Sequence, residues 1–121
     1  MNLQKPRIVI IDDNKELLML LCDFLDMESK YTVIGLEGIS NIYELSVLKP
    51  SLILLDLYMP TLSGHEIMEL KCGIPEIADV PVILITGSKE RAKQETLNMA
   101  KIVLEKPISL DELDYSISLL I

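Results

Sequence analysis

Tryptophan is absent from this chain and phenylalanine occurs once, so its core has to be built from aliphatic side chains. Cysteine is almost as scarce. Cys22 and Cys72 lie far apart, each in a helical pattern, and read as two reduced core thiols, not as a disulfide framework. The single histidine, His65, reads as a surface helix residue. Positive charge is short as well: 11 Lys and Arg stand against 19 Asp and Glu, a formal charge of −8. Phosphate backbones would repel such a surface, which argues against nucleic-acid binding by this chain alone. No apolar run approaches the length of a membrane span and the amino terminus is no signal peptide, so the expected setting is the cytoplasm, away from membranes. Neither a GxxxxGK[ST] loop nor a GxGxxG turn is present, so a phosphate is not expected to arrive on a nucleotide cradled by glycines.

What is present is ample aliphatic material. Half of the 121 residues are hydrophobic, enough for one core and one domain spanning residues 1–121. Short apolar runs recur at Ile8–Ile11, Thr32–Leu36, Leu52–Leu55, Val82–Ile85 and Ile102–Leu104. Each is continuous and not alternating, the pattern of strands buried on both faces of a parallel sheet. Helical periods fill the gaps. Leu17, Leu20, Leu21, Phe24 and Leu25 form one stripe, with Asn14 placed to cap it. A second helix is expected from about Ser40 to Leu48, stopped by Pro50. Ser63 with Glu66, and Ser109 with Glu112, have capping-box spacing ahead of a third and a last helix. Between Ser88 and Asn98 the segment SKERAKQETLN has few apolar residues, so a helix there would be loosely held and free to move. Met19, Met27 and Met68 read as core or helix-surface fillers. Five strands alternating with five helices, under the right-handed crossover rule, predict a three-layer, doubly wound α/β fold.

Polar residues fall where strands end. The stretch IVIIDDN delivers Asp12 and Asp13, the third strand ends in Asp56, the fourth in Thr86, and the fifth reaches Lys106. In an open α/β sheet these carboxyl ends form the ligand edge. Three carboxylates there need more counter-charge than one lysine supplies. Oxygen ligands with no His or Cys nearby point to Mg²⁺, or Mn²⁺ in its place. A divalent cation, a lysine, a hydroxyl and a free carboxylate together suit a phosphoryl group. Asp12 and Asp13 would be occupied by metal, which leaves Asp56 as the acceptor. Singly, Asp12 or Thr86 would pass for a helix cap and Lys106 for a solvated side chain. Their joint placement at one edge carries the reading.

Asp12-Asp13, DLYMPTLSG from Asp56 to Gly64, Thr86-Gly87 and Lys106-Pro107 together resemble the receiver (CheY-like) domain of two-component response regulators, in order and along the whole chain. The resemblance implies a flavodoxin-like sheet of order 2-1-3-4-5 and Mg²⁺-dependent phosphorylation of Asp56, with a histidine kinase or phosphotransfer protein as donor. It implies metal ligation by Asp13, Asp56 and the backbone carbonyl of Tyr58, with Asp12 acting mainly through water. Thr86 and Lys106 would contact the phosphoryl oxygens, and the Lys106–Pro107 bond would be cis. Such a domain catalyses only its own phosphorylation and dephosphorylation. With Mg²⁺ and one lysine, three carboxylates sum to roughly zero charge, and an acyl phosphate makes the site about one unit more negative. Thr86 would answer by swinging toward the new oxygens and drawing the polar segment after it.

Departures concern the readout. Val103 stands where the family has a switch aromatic, Ile108 where Phe often follows the Lys-Pro pair, and Met99 where glycine is common. A β-branched valine has few rotamers to switch between. This supports one alternative, a receiver-like interaction module not switched by phosphorylation. A second, an aspartate-nucleophile phosphatase of the haloacid dehalogenase type, expects DxD followed by Thr or Val, which IDDNKE does not supply. Output would come from an effector protein or an output domain beyond this chain. Homodimerisation through the fourth and fifth helices with the fifth strand is a family-level expectation.

Overall fold

A computed structural model describes residues 4–121. Five parallel strands form one sheet: β1 (Arg7–Ile11), β2 (Thr32–Leu36), β3 (Leu52–Asp56), β4 (Val82–Thr86) and β5 (Ile102–Glu105). Their order is β2-β1-β3-β4-β5, as the family resemblance implied. The helices are α1 (Lys15–Met27), α2 (Tyr43–Ser46), α3 (Gly64–Lys71), α4 (Gln94–Met99) and α5 (Leu110–Leu120), with a 3₁₀ turn at Lys89–Arg91 before α4.

The continuous apolar runs are explained by two separate cores. Val9, Ile11, Ile53, Leu55, Val82 and Leu84 face one side, where Leu45, Ile67 and Met68 of α2 and α3 cover them. Ile8, Ile10, Leu52, Leu54, Ile83 and Ile85 face the other, under Leu18, Leu21 and Leu25 of α1 and Leu113 and Ile117 of α5. Every residue of a central strand therefore meets a helix layer, and no polar alternation is tolerated. The expectation of two-sided burial holds for β1, β3 and β4 but not for the edges. In β2, Thr32 and Gly35 are exposed, and in β5 only Leu104 is buried, because each edge strand has one neighbour.

Helix starts follow the sequence signals closely. Asn14 Oδ1 accepts from the Leu17 amide at 3.2 Å, and Ser63 with Glu66 forms the complete capping box of α3. At α5 only half of that motif is made: Ser109 Oγ accepts from the Glu112 amide at 3.3 Å. The stripe of α1 differs from expectation. Leu18 is buried and Leu20 is 52% exposed. Residues 17–21 are all apolar, so periodicity alone could not fix the rotation of the helix. The second helix shrinks to one turn, Tyr43–Ser46, as Glu44 Oε2 reaches back to the Ser40 and Asn41 amides and Lys49 takes a positive φ before Pro50.

One smaller expectation is corrected, and the methionines fall as expected. Neither cysteine is a core thiol: Cys72 is exposed at the end of α3, and Cys22 is partly buried. Both are free. Met68 is buried while Met19 and Met27 are exposed, so the methionines divide between core and surface.

Candidate functional site

Register brings the acidic residues together. Ile11 pairs with Leu55 across β1 and β3, so one residue further on Asp12 stands beside Asp56. Both are buried, at 0% and 4% exposure, whereas Asp13 is exposed. One carboxylate oxygen from each of Asp12, Asp13 and Asp56 lies within 4.8 Å of the others. Asp12 Oδ1 accepts from the Asn14 amide at 2.9 Å, which turns the chain toward α1. Its other oxygen, Oδ2, is shut off from solvent and has no hydrogen-bond partner. Burying an unpaired charged oxygen is costly, so this atom calls for a cation.

Lys106 supplies part of that charge. Its Nζ lies 3.6 Å from Asp12 Oδ2 and 3.5 Å from Asp56 Oδ1, bridging the two buried carboxylates at distances too long for strong hydrogen bonds. The end of the β4–β5 ladder places it there: the Lys106 amide donates to Thr86 O at 2.8 Å. The following Lys106–Pro107 bond is cis, as the resemblance implied. One ammonium among three carboxylates leaves a deficit. Burial, and then the charge of Asp12, push the Asp56 carboxyl up to about 6, with Lys106 opposing.

Thr86 is fully buried at the same edge. Its hydroxyl donates to Ser88 O at 3.3 Å and accepts from the Ser88 amide at 3.2 Å, so it is engaged with its own loop. Tyr58 follows Asp56 by two residues, with its ring exposed. Gly64, at the start of α3, packs against the backbone between them. A Cβ there would lie 2.6 Å from Asp56 O and 2.8 Å from Leu57 Cα, so only glycine lets α3 start against the end of β3.

The family profile described as response regulator receiver domain matches residues 8–118. The chain belongs to that family. Among curated relatives, a protein-glutamate methylesterase/protein-glutamine glutaminase of Bacillus subtilis is 32% identical over 114 residues, 87% of this chain but 31% of that protein. The chain thus spans under a third of the length of the first curated relatives it matches. Among solved structures, the response regulator domain of Thermotoga maritima CheB is 26% identical with a TM-score of 0.79, covering 97% of this chain and 96% of that one. The receiver domain of a sensor histidine kinase of Pseudomonas aeruginosa PAO1, solved with a magnesium ion in its active-site cleft, is 19% identical with a TM-score of 0.81, covering 96% of this chain and 97% of that one.

As a receiver domain of two-component signalling, the chain leaves no ground for the phosphatase reading. Its departures from the family pattern sit in the structure as aliphatic packing. Val103 and Met99 rest against the core on the α4 side, and Ile108 against the opposite core. Two features had little signal in the sequence. Lys71 is buried, with its Nζ donating to Ala78 O at 2.8 Å and its pKa lowered first by that burial. His65, read as a surface residue, is partly buried and bonded on both ring nitrogens. Only the His65–Glu69 half, an i,i+4 pair, has a sequence signature.

Proposed function

We propose that residues 1–121 act as one receiver domain that takes a phosphoryl group on Asp56 and changes a partner-binding surface in response. The observation that carries this reading is the buried Asp12–Asp56 pair bridged by Lys106, with the Asp12 Oδ2 atom otherwise unpartnered. An all-oxygen set from Asp12, Asp13 and Asp56 suits Mg²⁺, or Mn²⁺, held with the Tyr58 carbonyl as a further ligand. When bound, such a cation neutralises carboxylate and phosphoryl oxygens.

The chain's own groups divide the remaining work. Ionised Asp56 attacks phosphorus, a new O–P bond forms, and the donor's P–N or P–O bond breaks with its electron pair leaving on the donor. A pKa of about 6 leaves Asp56 mostly ionised at neutral pH. Lys106 stays beside Asp56 and offsets the charge gained on the phosphoryl oxygens. Thr86 gives up its Ser88 partners to donate to that group, drawing the segment before α4 with it. A histidine kinase or phosphotransfer protein is the proposed donor, and an effector protein or linked output domain the proposed target. The proposed setting is the cytoplasm, consistent with two unpaired thiols.

Intact mass after incubation with acetyl phosphate tests the proposal. A Mg²⁺-dependent gain of one phosphoryl group, abolished by Asp56→Asn, is expected. No gain in the natural chain, with Mg²⁺ bound, would favour the unswitched interaction module.

A further inference from the structure

The segment after β4 is held to the molecule by little. The helix α4 has six residues and no side-chain cap at its start, and its one buried residue is polar, Thr96, at 3% exposure. Leu97, Met99 and Ala100 are only partly buried against the core. What Thr96 meets is a side chain of α3: His65 Nδ1 lies 2.7 Å from Thr96 Oγ1. The other ring nitrogen, Nε2, lies 2.6 Å from Glu69 Oε1, one turn further along α3. A carboxylate only accepts, so Glu69 fixes a proton on Nε2, and in that tautomer Nδ1 is the acceptor for the Thr96 hydroxyl. Beside this contact is a cavity of about 340 Å³, bounded by Leu57, Tyr58, Ala92 and Lys93 as well as His65 and Thr96. The close packing that would otherwise pin α4 to α3 is missing there.

We infer that His65 is a positioning residue: oriented by Glu69, it clasps Thr96 and fixes where α4 sits against α3. The hydroxyl–ring bond is either made or broken, which gives α4 two discrete conditions, clasped and released. Val103 cannot supply that choice through an aromatic rotamer, and the clasp lies on the same side of the sheet. Any pull from Thr86 along the 3₁₀ turn at Lys89–Arg91 leads into α4, which carries Thr96, so the clasp sets the resistance that a phosphoryl signal has to overcome. This last step rests on phosphorylation at Asp56; the clasp itself does not.

Amide hydrogen exchange on the unphosphorylated chain separates the two. Thr96→Val keeps the shape and removes the hydroxyl, and His65→Leu removes the ring nitrogens. Each is expected to speed exchange in residues 94–99 about three- to tenfold while β3 amides stay unchanged, the scale of one net hydrogen bond. The double variant should exchange no faster than either single one. His65→Asn, whose amide oxygen can occupy the place of Nδ1, should recover most of the protection. Unchanged exchange at 94–99 in the single variants overturns the inference, as does equal acceleration in β3, which would mark general destabilisation. Because no phosphodonor is present, failure of Asp56 to take phosphate leaves this result untouched, and a missing clasp leaves the acceptor standing.

Discussion

Asp56 works under opposed demands: it must be ionised to attack phosphorus, yet burial and Asp12 favour its protonated form. Its pKa rises from an ordinary 3.8 to about 6, so between those values the folded chain binds the proton more tightly than the unfolded chain. Stability from this group is therefore complete below about pH 4 and lost as pH rises through about 6. The rise corresponds to roughly 3 kcal/mol at most. Urea unfolding without divalent cations, from about pH 4 to 7, should show the natural chain losing about 2–3 kcal/mol relative to Asp56→Asn. Parallel profiles would refute the raised pKa. Asp12, Asp13, Asp56, Thr86 and Lys106 were legible in the sequence because each falls at or just beyond the end of an apolar run, and parallel strands bring such ends to one edge. The His65–Thr96 contact was not, because 31 residues separate the partners and no periodicity links them.

Elements were legible in proportion to how many neighbours they have. β1, β3 and β4 are covered on both faces, and each contains four consecutive aliphatic residues. β2 and β5 border solvent along one edge, so their apolar runs overstated their burial. α2 and α4 are short and set by local hydrogen bonds, such as Glu44 reaching back to Ser40 and Asn41, which a hydrophobic period does not record. α3 matters most to the site, since its first residue abuts the β3 terminus. Gly64→Ala forces backbone apart beside Asp56 and should cost about 1–3 kcal/mol in chemical unfolding. It should also slow phosphoryl uptake, since Asp56 O is the nearest atom to the added methyl. An unchanged midpoint with unchanged uptake would show that the loop yields without disturbing the acceptor.

At the scale of the whole molecule, a chain of net charge −8 gathers three carboxylates at one edge of its sheet, two of them buried, and balances them with one lysine. Folding concentrates negative charge there and leaves Asp12 Oδ2 without a hydrogen bond, so a divalent cation should bind the folded state in preference to the unfolded one. Mg²⁺ at a hundredfold excess over its Kd should add about 2.7 kcal/mol to unfolding free energy. Asp13→Asn should reduce that gain sharply, and an equal gain in the variant would place the cation elsewhere. Of these carboxylates one, Asp56 at the end of β3, is expected to take the phosphoryl group. Borohydride reduction after acetyl phosphate treatment, followed by peptide mass analysis, reads it directly, because only an acyl phosphate is reduced to homoserine. Homoserine at position 56 alone is the predicted result; unreduced Asp56, or homoserine at position 12 or 13, would contradict the account.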